Sequence, residues 1–402
     1  MSEKAGENKK PSLVILGAGP TGLEAALAAA EAGYPFTVYE AASEVAGHMR
    51  EWGHVRLFTP WSMNVSERMR RHLQAADIEV PGGEACPTGA EMREQLLEPI
   101  ARLPELADHV RCGVEVLRVG RRGLLKHEEI GTAVRAAQPF RLLLAGEDRQ
   151  WAEEADVVLD CTGAAKPNAL GAGGIPAPGE DTAQDRIFSR IPNLEREAAD
   201  WTDRRILLVG AGHSGQTALV GLVDLAAERP NTRIVWALRD GPPEPINEDA
   251  LAERASLMQR ARGLADDPPS CLEVRRGVSI DEIWPRPDGV DVVLRTADGE
   301  QETVGVDRIL ALTGRVGDHQ IYRQLQVHEC YATSGPMKLA AALLGQDGGS
   351  GDCLDQSSLG ADTLKNPEPG FFLLGQKSYG RRNDFLLRVG WQQVDEVFEL
   401  LA

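Results

Sequence analysis

The sequence predicts an α/β fold with two separate β-α-β units, on three observations. The stretches LVILGAGPTGLEAALAAAEAGYPFTVYE (Leu13 to Glu40) and ILLVGAGHSGQTALVGLVDLAAERPNTRIVWALR (Ile206 to Arg239) share one grammar: a short apolar run, a G-x-G-x-x-G turn, a helix and a second apolar run. Two more apolar runs, DVVLDCTGA (Asp156 to Ala164) and DRILALTGR (Asp307 to Arg315), each lead into a Thr-Gly pair. A length of 402 residues exceeds what one hydrophobic core usually serves, so two domains are expected.

The first unit begins with Leu13 to Leu16, an apolar run suited to a buried parallel strand. Gly17 permits the tight turn that follows, Gly19 lets the backbone approach a pyrophosphate, and Gly22 lets helix and strand pack closely. Pro20 and Thr21 open a helix expected over about Thr21 to Ala32, whose N-terminal N–H groups face the anion. The strand FTVYE ends in Glu40, 18 residues past Gly22, where a carboxylate can accept hydrogen bonds from ribose hydroxyls.

The second unit repeats this order with Gly210, Gly212 and Gly215, and with His213 and Ser214 inside the turn. A helix is expected to about Glu228, followed by the strand RIVWALR. That strand ends in Arg239 instead of an acid, and an arginine there can meet a 2'-phosphate, which favours NADPH over NADH. Asp240 beside it is the competing reading, as a ribose ligand.

Composition removes several classes of function. The chain has 43 basic and 61 acidic residues, a net charge of -18, which repels nucleic acid and anionic membrane surfaces. No apolar stretch approaches the roughly 18 residues that a membrane span needs, and the N-terminal MSEKAGENKK reads as a frayed tail, so a cytoplasmic protein is expected. The six cysteines lie far apart, with no CxxC and no cysteine–histidine cluster at metal spacing, so reduced thiols and no metal are expected.

Two dinucleotide turns in one chain, one followed by an acid and the other by an arginine, resemble the two-dinucleotide-binding-domain flavoproteins, the group of the thioredoxin and glutathione reductases and the flavin-containing and N-hydroxylating monooxygenases. The resemblance implies two Rossmann-like domains, an FAD domain from residues 1–165 and 309–402 with an NADPH domain, 166–308, inserted in it. Thr162, Gly163 and Gly314 would then mark the crossings between them. It also implies FAD and NADPH as cofactors, a small-molecule substrate, and a second copy of the chain as a candidate partner.

Within that group the missing CxxC and CxxxxC disfavour the disulfide reductases. The segment GHMREWGHVRLFTPWSMN resembles the glycine-then-tryptophan stretch of the monooxygenases, with Gly47 and Trp52 as the matches and Asn64 as the active-site asparagine. LALTG is similar to the signature of the N-hydroxylating enzymes, from which Leu312 and Arg315 depart. The resemblance thus implies an NADPH-using monooxygenase acting on an electron-rich nitrogen or sulfur; a flavin- or quinone-type reductase and a non-catalytic flavin-bound redox sensor are the alternatives.

Near the end, FFLL (Phe371 to Leu374) reads as a strand, and Gln376 stands where the disulfide reductases carry an aspartate on the flavin's ribityl chain. Lys377 to Arg382, KSYGRR, is either an anion-binding group with Lys377 on the cofactor or a solvated loop. A last helix is expected from about Asp384, capped by Asn383 or Asp384, with its N-terminus toward the flavin as the resemblance implies. His48 and His54 flank Trp52, Cys330 and Cys353 could form a redox pair, and Glu248 to Asp267 reads as an amphipathic helix that covers a cleft or merely packs on its own domain. Gly345 to Gly370 is too long for a passive connection.

Overall fold

The structure is a computed structural model that describes residues 10–242, 251–346 and 357–402. It divides into two compact units, one of residues 1–165 and 316–402 and one of residues 166–315.

The first unit opens with β1 (Leu13–Leu16), α1 (Pro20–Glu31), β2 (Phe36–Glu40) and β3 (Val110–Cys112). Then come a three-stranded antiparallel meander, β4 (Glu115–Arg121), β5 (Phe140–Ala145) and β6 (Gln150–Ala155), and the fully buried strand β7 (Val157–Asp160). The second unit contains β8 (Arg205–Val209), α2 (His213–Glu228), β9 (Arg233–Leu238) and β10 (Leu272–Arg276). A second meander follows, β11 (Val278–Arg286), β12 (Gly289–Thr296) and β13 (Gln301–Val306), and then β14 (Arg308–Ala311). The chain returns to the first unit with β15 (Phe371–Leu373) and α3 (Leu387–Leu401).

Each unit carries a parallel sheet of five strands. The first has the order β15–β7–β1–β2–β3, and the second β10–β9–β8–β14 with the short strand Ile187–Phe188 at its edge. Central strands covered on both faces must be apolar at every position, and LVIL in β1 and the interior of RILLV in β8 are buried throughout.

The elements fall within a residue or two of the sequence reading except in three places. Strand β14 pairs with β8, so the second unit runs to Arg315 and not to residue 308: a strand hydrogen-bonded into that sheet belongs to it. The last helix begins at Leu387, not near Asp384, and carries no side-chain cap. The expected cap is otherwise engaged, because Asp384 takes a hydrogen bond from the Arg382 guanidinium at 2.6 Å. The Phe385 ring meanwhile stacks edge-on against Tyr379 and fills the space a side chain at Gly390 would need. Finally, the described part of the 248–267 stretch is the helix Ala252–Asp266, which packs on α2, joins its core through Ala261 and Ala265 and is part of the second unit's own body. Glu248 lies outside the described residues, as do residues 347–356 of the Gly345–Gly370 stretch. Of that loop, Ser358 bonds Glu396 and Gln392 on α3.

Candidate cofactor-binding sites

The two glycine turns share one construction. In the first, Gly17 has a φ of 91° and lies so close to the end of β7 that a Cβ would sit 2.9 Å from the Cys161 carbonyl. In the second, Gly210 has a φ of 124°, and its Cβ would sit 2.2 Å from the Leu312 carbonyl. The third glycine of each turn packs its helix onto the first: a Cβ on Gly22 would meet the Gly17 oxygen at 1.9 Å, and one on Gly215 the Gly210 oxygen at 2.5 Å. The middle glycines differ from these, since a Cβ on Gly19 or Gly212 meets nothing within 4 Å. Helix packing therefore does not require glycine there. An open, side-chain-free approach to a helix N-terminus is what a pyrophosphate requires, and the residues present fit one at each turn.

Glu40 braces the first turn. One carboxylate oxygen accepts from the Ala18 N–H at 2.8 Å and the other from the Ala42 N–H at 3.0 Å. Each oxygen keeps a second lone pair, so the carboxylate can still receive ribose hydroxyls. Gly47 lies against the same loop, where a Cβ would strike that of Ala42 at 2.1 Å. Trp52 is half-buried with its ring over Gly89, whose Cβ would lie 2.7 Å from it. His48 lies 3.6 Å from Glu51 and His54 is half-buried.

Asn64 is 2 % exposed and tied to its own loop: its Nδ2 donates to the Thr59 carbonyl at 2.8 Å, and its Oδ1 accepts from the Thr59 hydroxyl at 2.9 Å. One N–H of the carboxamide remains for other use. The short helix that carries it, Trp61–Asn64, packs against α3.

At the C-terminal end of the first sheet the structure shows a cluster that the sequence did not announce. Lys377 is 2 % exposed, and its ammonium donates to Asp160 at 2.6 Å and to the Thr162 hydroxyl at 2.9 Å, with the Tyr322 ring 5.2 Å away. Its charge neutralises the fully buried Asp160, which also accepts from the Thr162 hydroxyl and N–H, and one N–H of the Lys377 ammonium remains beyond its two bonds. KSYGRR is not a solvated loop, since Lys377, Ser378 and Tyr379 are all buried. Gln376 donates to the Arg382 carbonyl at 2.9 Å. Gly375, at a φ of 68°, presses on Thr21 at the start of α1, and its N–H donates to Gln393 of α3. The starts of α1 and α3 are thereby fixed side by side. Gly163, with a φ of 68°, and Gly314, with one of 89°, both take the left-handed turn that glycine permits.

In the second turn His213 and Ser214 open α2, and the indole of the fully buried Trp236 donates to the Gly210 carbonyl at 2.9 Å. Arg239 and Asp240 lie just beyond β9 as a highly exposed pair, 3.2 Å apart. The structure thus puts both competing readers of the ribose at the same strand end.

Thiol chemistry is constrained by burial. Cys161 stands against the first glycine turn, and desolvation, with the Asp160 carboxylate next to it, pushes its thiol far above the ordinary range. Cys330 is shifted the other way, drawn below the usual thiol value by hydrogen bonds from the Thr333 backbone and hydroxyl. Cys353, its expected partner, lies outside the described residues. Among the described residues there is no cluster able to hold a metal ion, and no helix is long and apolar enough to cross a membrane.

Comparison with known proteins follows this geometry. The family model of the pyridine nucleotide-disulphide oxidoreductases matches residues 11–330. No curated sequence matches significantly. Among solved structures, bacillithiol disulfide reductase Bdr (YpdA) from Bacillus cereus is similar at 17 % identity and a TM-score of 0.68, over 98 % of both chains. Ornithine hydroxylase (PvdA) from Pseudomonas aeruginosa is similar at 17 % identity and a TM-score of 0.65, also over 98 % of both. The thioredoxin reductase of T. acidophilum follows at 14 % identity and 0.58, over 98 % of this chain and 99 % of that one. Likeness at these identities concerns the fold, and it extends to reductases and hydroxylases alike. With its two glycine turns and with four-fifths of its length matched, the chain belongs to the pyridine nucleotide-disulphide oxidoreductase family.

Proposed function

We propose that the chain is an NADPH-dependent flavoprotein monooxygenase acting on an electron-rich nitrogen or sulfur of a small molecule, with FAD at the first turn and NADPH at the second. The observation that carries this reading is Cys161. Disulfide exchange needs a thiolate, and burial, with the Asp160 carboxylate adding to it, pushes the thiol seated at the first turn far above its ordinary range. FAD, when bound, supplies hydride acceptance and oxygen activation.

The chain's own residues supply placement. Gly19 and the N-terminus of α1 receive the pyrophosphate, Glu40 the ribose, and the start of α3 offers its N–H groups and positive dipole end to charge on the ring. Asn64, on a helix packed against α3, has one free N–H to orient an oxygen-bearing group, and Trp52 excludes water.

Stopped-flow and oxygen-electrode measurements test this. NADPH is expected to bleach the flavin, and a panel of amines, thiols and sulfides to contain a compound that is oxygenated stoichiometrically with oxygen consumed. Turnover that yields only hydrogen peroxide whatever the additive would refute it. The lowered thiol of Cys330 favours one competing reading, a thiol-disulfide reductase, which requires Cys330→Ser to abolish disulfide reduction.

Cofactor choice is tested at Arg239. A guanidinium holds a 2'-phosphate through charge-assisted hydrogen bonds of roughly 1.5 to 3 kcal/mol each. At so exposed a position, next to Asp240, solvent and that carboxylate reduce the figure, and a loss of about 1.4 kcal/mol is tenfold. Arg239→Ala is expected to raise KM for NADPH about tenfold and leave that for NADH nearly unchanged; equal weakening of both would give the role to Asp240.

A further inference from the structure

We propose that a cleft on the meander side of the first unit, lined by Lys126 and by residues of the segment 319–329, binds a small organic oxyanion through Arg323, Lys126 and His319. The cleft has a volume of about 470 Å³, which suits a small metabolite. None of its lining residues belongs to the first glycine turn, to Glu40, to the Thr162–Gly163 crossing or to the 375–377 segment, although the Tyr322 ring on its wall lies 5.2 Å from the Lys377 ammonium.

Charge decides the class of ligand. The chain as a whole carries -18, yet this cleft holds two fixed cations, Lys126 and Arg323, against the single carboxylate of Glu329. That carboxylate is already engaged. His319 Nδ1 lies 3.1 Å from it, and although burial pushes the Glu329 carboxyl up, the histidine and the Tyr322 hydroxyl hold it below the ordinary range. The cations are less engaged. Lys126 donates to the Arg323 carbonyl at 3.0 Å, and the exposed Arg323 guanidinium has no hydrogen bond or ion pair among the described residues. His319 Nε2 has no hydrogen-bond partner among the described residues and almost no exposed surface, so an occupant of the cleft reaches it only if the ring turns. Tyr322 and Val327 add an apolar wall for the body of the ligand. An arginine, a lysine and a histidine around one cavity is a donor set for phosphate or carboxylate.

The test uses holoprotein saturated with FAD and NADP+, so that both glycine turns are filled, titrated by calorimetry with inorganic pyrophosphate and, separately, with citrate. Saturable binding of at least one probe is expected, weakened by added salt and weakened about tenfold or more in Arg323→Glu, as loss of one charge-assisted contact implies. Binding of pyrophosphate alone identifies a phosphate ester as the ligand, and binding of citrate alone a carboxylate. Flavin content and melting temperature of the variant verify its fold, and Lys126→Glu is the second variant if they change. No saturable heat from either probe, or wild-type affinity in both charge-reversal variants, overturns the proposal.

Discussion

Gly19→Val is expected to give a folded, colourless protein, and Gly212→Val a yellow one whose flavin NADPH no longer bleaches. The structure permits this separation because a Cβ at either position meets no protein atom within 4 Å, and the backbone of Gly19, at a φ of -82°, is one that valine can adopt. The added side chain therefore occupies only the approach of a pyrophosphate. Displacing an anion from a helix N-terminus removes several charge-assisted hydrogen bonds, and about 2.7 kcal/mol or more of lost binding is at least a hundredfold in affinity. Flavin absorbance after purification reads the first variant, and anaerobic titration with NADPH the second. Gly22→Ala serves as the contrast, since its Cβ would lie 1.9 Å from a backbone oxygen and the helix itself must shift. If Gly19→Val keeps its flavin, the first turn does not hold the pyrophosphate.

The second large effect belongs to neither turn. Glu368 has a fully buried side chain that accepts from the Arg121 Nε at 2.6 Å, from the Arg135 Nη2 at 2.7 Å and from the Gln326 N–H at 2.7 Å. Both arginines are equally buried, and the Arg121 guanidinium also lies 3.7 Å from the centre of the Phe140 ring. Glu368→Ala leaves two buried cations without their carboxylate, and breaking a buried pair in this way costs about 3–5 kcal/mol. The midpoint of urea denaturation, followed by flavin release, is expected to fall accordingly. Replacing all three residues with Leu and Met is expected to recover most of the loss, because the desolvated charges leave together. A loss below about 1 kcal/mol in Glu368→Ala would show that water reaches the cluster.

These two sites differ in how far the sequence disclosed them. The glycine turns were legible because everything that makes them, the buried strand, the three glycines and the helix start, is contiguous over some ten residues, and packing accounts for the first and third glycine of each. The Glu368 cluster was not legible, since Arg121 and Arg135 meet a carboxylate 247 and 233 residues away and no local pattern marks them. The burial of Lys377 was hidden for the same reason: its local neighbours Arg381 and Arg382 suggest an exposed basic loop, but its partner is Asp160, 217 residues back. The start of α3 was misplaced because a local rule, an Asn-Asp cap, yielded to a tertiary one, the Phe385 ring against Gly390. Asn64 was found through a resemblance, and what the resemblance lacked was Thr59, which occupies half of its amide.

Strand β15 completes the first sheet by pairing with β7, α3 packs along α1, the Tyr34 hydroxyl donates to the Leu401 carbonyl at 2.7 Å, and Arg68 reaches Asp395 at 2.6 Å. During translation this arrangement imposes an order. The second unit is a single uninterrupted span, able to form once residues 166–315 clear the ribosome, whereas the first 165 residues must wait with the outer edge of β7 uncovered until β15 emerges. Throughout that interval an apolar strand edge is open to pairing with other nascent chains.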